Sequence, residues 1–151
     1  MKRAGLLLFI YLLVLTFTLF SFEVTPEVGT YTMGDVSEEL TGVVISPPLT
    51  IADFQVGGLF EYIWADQPTF RYGVLMRYDF LSGEPLQPYT IGGTGVLTTD
   101  GESHVVYSFG AGLKIPGETF NFYIEERIDE VRVGDQTETY PATILGFGME
   151  F

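Results

Sequence analysis

The sequence contains no cysteine, and this absence excludes several kinds of stabilisation and anchoring at once. Without a thiol the chain cannot form disulfides, thiolate metal sites or a lipid-modified cysteine anchor. No spaced calcium motif is present either, although acidic residues are common, and we predict neither a metal site nor a cofactor. Stability and any attachment to a membrane must therefore come from the fold itself.

Basic residues are scarce, with seven Lys and Arg against 20 Asp and Glu. Two of the seven, Lys2 and Arg3, precede an apolar run from Ala4 to about Phe22, which is typical of a secretory signal. We predict a cleaved signal over residues 1–22, with the cut near Ser21 or Phe22; an uncleaved anchor helix is the alternative. The remaining chain would hold five cations, too few to predict binding to nucleic acid.

After Phe22 no apolar run approaches the length that a membrane-spanning helix needs, yet aromatic residues are abundant. The pattern is instead one of extended segments separated by turn-forming residues. There are eight such segments, the even number that single-chain bacterial barrels have: Glu23–Met33, Glu39–Ser46, Ala52–Ala65, Thr69–Leu81, Leu86–Thr99, Ser103–Ile115, Thr119–Glu130 and Glu138–Phe151. We predict an all-β domain over residues 23–151, an eight-stranded antiparallel up-and-down transmembrane β-barrel.

Alternation along the segments indicates which side chains face lipid. Between Thr69 and Leu81, for example, one face carries mostly aromatic and apolar residues, and the other carries Arg71, Arg77 and Asp79. The lumen of an eight-stranded barrel only just accommodates its side chains, so the bulky faces must point outward and the faces with charges and glycines, including Gly92, inward. A soluble barrel would need the reverse arrangement.

Two sets of residues follow from this assignment, and a third is implied by a family resemblance. The first is a network of paired charges in the lumen: Glu61, Arg71, Arg77, Asp79, Lys114, Glu125, Arg127, Asp129 and Glu150. The second is an aromatic girdle at the two membrane interfaces: Phe54, Trp64, Phe70, Phe80, Tyr89, Tyr107, Phe120 and Tyr140. Glu126 falls on the lipid side under strict alternation, and a β-bulge near Glu125 and Glu126 would correct its facing.

The third set lies in the final segment, Ile144–Phe151, which has alternate apolar residues and a terminal phenylalanine. This ending resembles the C-terminal signature of outer-membrane barrels, and the glycine-rich strands resemble the small barrels of the OmpA, OmpX and opacity-protein type. The resemblance implies a location in the cell outer membrane, contact with the bilayer and lipopolysaccharide, and recognition by the barrel-assembly machinery. It assigns the assembly signal to Leu145, Phe147, Met149 and Phe151.

The predicted function is a structural or envelope role, with a charged and closed lumen and no catalytic activity. The predicted outer connections are short, about Gly34–Glu38, Asp66–Pro68, Asp100–Glu102 and Val131–Thr137, which disfavours adhesion. A narrow ion or small-solute pore is an alternative, and a membrane-anchored soluble β-barrel is another. A lipid-modifying enzyme is a further alternative. A resemblance to the deacylase barrels of the outer membrane would imply a His-x-Ser arrangement, but the residue two after His104, the only histidine, is Val106. The adjacent Ser103 should point to the opposite face, away from His104.

Overall fold

The computed structural model describes residues 22–51 and 53–151, and these residues form β-strands joined by turns. The predicted signal segment therefore lies outside the described residues, apart from Phe22. Within the described residues no helix is long and apolar enough to cross a membrane. The strands are β1 (Glu23–Met33), β2 (Val36–Ser46), β3 (Thr50–Ile51), β4 (Phe54–Ile63), β5 (Thr69–Asp79), β6 (Gln87–Thr99), β7 (Glu102–Pro116), β8 (Phe120–Val133) and β9 (Gln136–Glu150).

Eight of these strands close into an antiparallel barrel. Neighbours in the chain pair with one another, β9 returns to pair with β1, and β2 pairs with β4 across the two-residue strand β3. Closure leaves no free sheet edge among the eight long strands, as a membrane barrel requires. The predicted strand number and topology are confirmed.

Four connections lie at one end of the barrel, here named the hairpin rim: residues 34–35, 64–68, 100–101 and 134–135. Three of the four are two-residue turns, and positive φ angles at Gly34, Asp100, Gly101 and Gly134 allow them. The turns make β2, β8 and β9 longer than predicted, since pairing continues up to the turn itself. The prediction of short connections at this end is confirmed.

The opposite end, the terminal rim, carries the described start and end of the chain. There Phe22 and Phe151 exchange backbone hydrogen bonds of 3.2 and 3.0 Å, and their rings stack at 5.6 Å. The connections here, residues 47–53, 80–86 and 117–119, are mostly longer than those at the hairpin rim.

Large apolar side chains cover the outside of the barrel. Val74, Phe109 and Phe147, on three different strands, are exposed by 48%, 55% and 52%. A water-soluble barrel would leave this surface in contact with solvent, whereas lipid matches it. The exposure contradicts the alternative of a soluble barrel with buried aromatic faces.

One strand faces the opposite way from the prediction. Tyr89 is buried, with 2% exposure, and points into the lumen, while Gly92 lies on the outside. The prediction failed because β6 has small or neutral residues on both faces and no charge to distinguish them. Its facing is set by β5, whose Arg77 pairs with Ile91.

The predicted bulge in β8 is also wrong. Pairing with β7 and β9 continues without interruption through Glu125 and Glu126. Glu126 therefore remains on the lipid-facing surface, where its Oε2 accepts a hydrogen bond of 3.0 Å from the Thr143 hydroxyl.

Candidate functional site: the barrel lumen

The centre of the lumen is occupied by a cluster of four charged residues, here called the plug: Glu61, Arg71, Arg127 and Asp129. Arg71 lies 2.6 Å from Glu61 and 3.0 Å from Asp129. Arg127 lies 2.8 Å from Glu61 and 3.2 Å from Asp129, so each arginine contacts both acids. All four are at most 2% exposed, and their charges cancel.

The plug is formed by residues that are distant in the chain and adjacent in the barrel. Glu61 and Arg71 are cross-strand partners on β4 and β5, while Arg127 and Asp129 are two residues apart on β8. The pair β4 and β5 contributes one acid and one arginine, and β8 contributes another acid and another arginine, so that opposite charges meet across the narrow lumen. Arg71 also donates a hydrogen bond to the Ser108 hydroxyl on β7. Four strands, β4, β5, β7 and β8, are therefore connected through the plug.

On the side toward the hairpin rim, the plug is covered by an apolar layer. Its buried members come from seven strands and reach the end of the lumen: Tyr31, Leu40, Ile63, Leu97, Val106, Val131, Ala142 and Ile144. Tyr140 packs against this layer with its ring 5.8 Å from that of Tyr31. The apolar layer and the plug thus follow one another along the lumen, with the apolar layer on the side of the hairpin rim.

A second polar cluster lies near the terminal rim and centres on Arg77. Arg77 lies 3.2 Å from Asp79 and 3.8 Å from Glu23, and it donates a hydrogen bond to Gln55. Its guanidinium also lies 4.7 Å from the centre of the Tyr123 ring, a cation–π contact. Glu23 in turn accepts hydrogen bonds from Tyr123, Asn121 and Thr25.

A cavity of about 40 Å³ separates the two clusters. Its lining includes Glu27 and Glu125, which are both buried, together with the Tyr89 ring. Tyr89 donates a hydrogen bond of 3.1 Å to Glu125, whose other oxygen lies 3.8 Å from Arg127. Gln55 and Arg77 line both this cavity and a wider mouth at the terminal rim. The lumen is thus narrow but not completely filled on this side.

The structure places the predicted lumen charges in three locations. Glu61, Arg71, Arg127 and Asp129 form the plug, Glu125 lies beside it, and Arg77 and Asp79 lie toward the terminal rim. Lys114 is partly exposed at that rim, 5.8 Å from the Tyr123 ring, and Glu150 is exposed there.

Sequence reasoning missed the acids of β1. Glu23 and Glu27 share a face with Thr25 and Tyr31, and this odd-numbered spacing could have assigned them to the lumen. The signal was weak because Val24, Pro26 and Val28 on the other face are smaller than the aromatic residues elsewhere. Tyr123 and Asn121 of β8 were also missed, although their odd-numbered spacing places them on the same face as the predicted lumen charges of that strand.

Most of the predicted girdle residues lie on the outside near a rim. Trp64 and Phe70, at the hairpin rim, both pack against Tyr62 at ring distances of 4.7 and 5.0 Å. Exposure of 37% or more is found for six members: Phe54, Trp64, Phe70, Phe80, Tyr107 and Phe120. The exceptions are Tyr89, inside the lumen, and Tyr140, partly buried on the lumen side of β9. The residues assigned to the assembly signal lie on the outer face of β9 and at its end.

His104 lies on the lumen face of β7 near the hairpin rim. Its Nε2 is 3.9 Å from Glu102, while Ser103 points to the other face and shares a hydrogen bond with Thr98. Histidine and serine therefore do not form the nucleophile–base pair that acyl transfer requires. Among the described residues no group of three or more His, Asp or Glu is placed to hold a metal ion.

Glu126 is an unusual residue for a lipid-facing surface, because it lies between Ile124 and Ile128 near the middle of β8. We expect Glu126→Leu to raise the free energy of unfolding by about 1 to 2 kcal/mol in lipid vesicles, since charges on the lipid face cost most at the midplane. Urea titration would measure this. Glu130→Leu is the matched control nearer the hairpin rim, and its effect should be smaller; an equal gain would contradict a midplane position for Glu126.

Comparisons with known proteins agree on the fold. No protein-family model matches the chain, and no curated protein sequence matches it. Among solved structures, the N-terminal β-barrel domain of Pseudomonas aeruginosa OprF matches with a TM-score of 0.69 and 20% identity, covering 87% of this chain and 97% of that domain. Neisserial surface protein A matches with a TM-score of 0.63 and 11% identity, covering 87% and 97%. The outer membrane enzyme PagL matches with a TM-score of 0.53 and 15% identity, covering 84% and 98%.

These similarities confirm the predicted resemblance to small outer-membrane barrels at the level of the fold. The chain forms a closed eight-stranded barrel of the transmembrane type, with an apolar outer surface and a polar lumen. The neighbours include an enzyme as well as OprF and the neisserial surface protein, so the fold does not select a role.

Proposed function

We propose that this chain is an integral outer-membrane barrel with a structural role in the envelope and a lumen that does not conduct. The plug and the apolar layer support this proposal most directly, because together they bring side chains that are at most 3% exposed from all eight long strands into the lumen. An ion crossing this region would have to displace four mutually paired charges and then pass buried Leu, Ile and Val side chains. Both steps are costly in a narrow interior.

In this proposal the terminal rim faces the periplasm and the hairpin rim faces outward. The two-residue turns at Gly34, Asp100 and Gly134 then leave little chain outside the membrane for binding another cell or a host molecule. The partners are the bilayer with its lipopolysaccharide and, during biogenesis, the barrel-assembly machinery. The arrangement of His104 and Ser103 gives no support to an enzymatic role.

A narrow pore is the second candidate, and the mouth and cavity on the terminal side favour it. These two spaces extend from the terminal rim to the plug and have Arg77 on their walls. If the plug rearranged, they would form the first half of a conducting path. A measurement of ion conductance distinguishes the closed barrel, which should carry no current, from the pore, which should carry one.

We expect purified barrel inserted into planar lipid bilayers to give no unitary currents, because the plug and apolar layer seal the lumen. The same sample should migrate anomalously on gels until boiled, which shows that the inserted protein is folded. Stable unitary currents that change on Arg77→Ala but not on Arg132→Ala would contradict a closed lumen and establish the pore. Arg132 is the matched control, since it is exposed on the outer face of β8.

A further inference from the structure

Glu27 is a buried carboxylate without a hydrogen-bond partner for one of its oxygens. Its side chain lines the cavity below the plug, its residue exposure is 8%, and Oε2 forms no hydrogen bond with any described residue. Leaving an acceptor of a charged group unpaired in the interior costs far more than leaving a neutral one. Asp79, Glu125 and Asp129 also have one oxygen without a hydrogen bond, but that oxygen lies 3.0 to 3.8 Å from an arginine nitrogen. No ion pair is found for Glu27 among the described residues, so Glu27 differs from them.

Charge is also unbalanced in this part of the lumen. Arg77 is already matched by Glu23 and Asp79, and the plug arginines are matched by Glu61 and Asp129. Among the buried and partly buried charges of the plug, the cavity and the terminal side, six carboxylates face four cations, an excess of two negative charges: Glu23, Glu27, Glu61, Asp79, Glu125 and Asp129 against Arg71, Arg77, Lys114 and Arg127. The excess is concentrated beside the cavity, at Glu27 and Glu125.

The cavity wall is largely apolar, but several oxygen-bearing side chains lie in it. Besides Glu27, it includes Glu125, whose Oε1 makes no hydrogen bond, and the hydroxyl-bearing Thr25 and Ser46. Oxygen ligands are the ones that hard cations prefer. A volume of about 40 Å³ accommodates a small ion with little water and excludes a large organic cation. Access is from the terminal rim, where the wider mouth shares Gln55 and Arg77 with the cavity.

We propose that this cavity is a binding site for a small alkali-metal cation, with the Glu27 carboxylate as its principal ligand and Glu125 as the second. A monovalent ion fits better than a divalent one, since calcium takes six to eight oxygens and usually several carboxylates. No group of three acids suited to a metal exists among the described residues, and Glu125 is already shared with Tyr89 and Arg127. The site stabilises the lumen by neutralising the unpaired charge, and it does not depend on whether the lumen conducts.

The test compares heat-induced unfolding of the refolded full barrel in NaCl and in choline chloride at the same ionic strength. Choline is too large for the cavity, and both salts screen charges equally at the same ionic strength. A difference between the two unfolding midpoints therefore reports binding of the small ion. The wild-type midpoint should be higher in NaCl and rise by about 3 to 8 °C for each tenfold increase in Na⁺ above the dissociation constant. Glu27→Gln should remove this dependence and melt above the wild type in choline chloride, because no unpaired charge remains.

Glu150→Gln is the matched control, an acid of β9 that is exposed at the terminal rim. It should keep the sodium dependence of the wild type. Equal wild-type midpoints in the two salts would overturn the proposal and indicate that Glu27 holds a proton instead. A sodium dependence that survives in Glu27→Gln would also overturn it.

A second measurement needs no variant, and so remains decisive if Glu27→Gln does not fold. The ²³Na magnetic resonance line should broaden when folded wild-type protein is added, and it should narrow again after the barrel is boiled in detergent. A line that is equally broad with folded and boiled protein would refute a site that depends on the fold.

Discussion

Arg127→Ala is expected to lower the free energy of unfolding by about 3 to 5 kcal/mol, the range found when one partner of a buried ion pair is removed. Arg127 contacts Glu61 at 2.8 Å and Asp129 at 3.2 Å and is almost completely buried. Its loss leaves the two acids facing a single guanidinium, that of Arg71. Urea unfolding in lipid vesicles would measure the effect, with Trp64 as the probe, since it is the only tryptophan in the chain.

The control for this prediction is Arg132→Ala on the same strand. Arg132 lies on the outer face and is exposed, so its removal should change stability by no more than about 0.5 kcal/mol. The double variant Glu61→Ala with Arg127→Ala removes one charge of each sign and leaves the Arg71–Asp129 pair balanced. It should therefore be less destabilised than the sum of the two single variants, by about 0.5 to 3 kcal/mol. Strict additivity would show that the four residues do not act as one cluster.

Val74→Arg is the second large prediction, with an expected cost of about 2 to 4 kcal/mol in lipid. Val74 lies at the middle of β5, points outward and is 48% exposed, so an arginine there would meet the hydrocarbon core. Unfolding in vesicles would again give the value.

Val105→Arg is the matched control for Val74→Arg. Val105 has nearly the same exposure, 46%, but lies near the hairpin-rim end of β7. There the cost should fall to about 0 to 1 kcal/mol, because an arginine can reach the headgroup region. Equal and negligible costs at both positions would indicate a surface in water and would refute the membrane assignment.

The paired acids of the plug and the lipid-facing Glu126 have opposite consequences for engineering the barrel. Substituting Glu126 should stabilise the barrel, because its side chain lies in the apolar belt and, among the described residues, only the Thr143 hydroxyl donates a hydrogen bond to it. Substituting a plug acid should destabilise it, because each plug acid contacts two arginines. The same residue type thus has an opposite effect on stability according to whether arginines contact its carboxylate.

The sequence by itself determined the class of fold and most of the barrel's facing. Strict alternation in β5, β7 and β9, with Arg71, Arg77 and Asp79 on one side of β5, left a single arrangement that keeps charge out of lipid. Breakers such as Asp100–Gly101 located the turns, because few residues adopt the positive φ that a two-residue hairpin needs. These are local signals, and they can be read without knowing which strands meet.

Tertiary structure alone decided the features that depend on neighbours. The facing of β6 follows from its pairing with β5, since the residues of β6 are small or neutral on both faces. The pairing of Glu61 with both Arg71 and Arg127 and the isolation of Glu27 follow from which side chains meet across the lumen. Alternation specifies that a charge points inward, but its partner lies on a strand tens of residues away, and only closure of the barrel brings the two together.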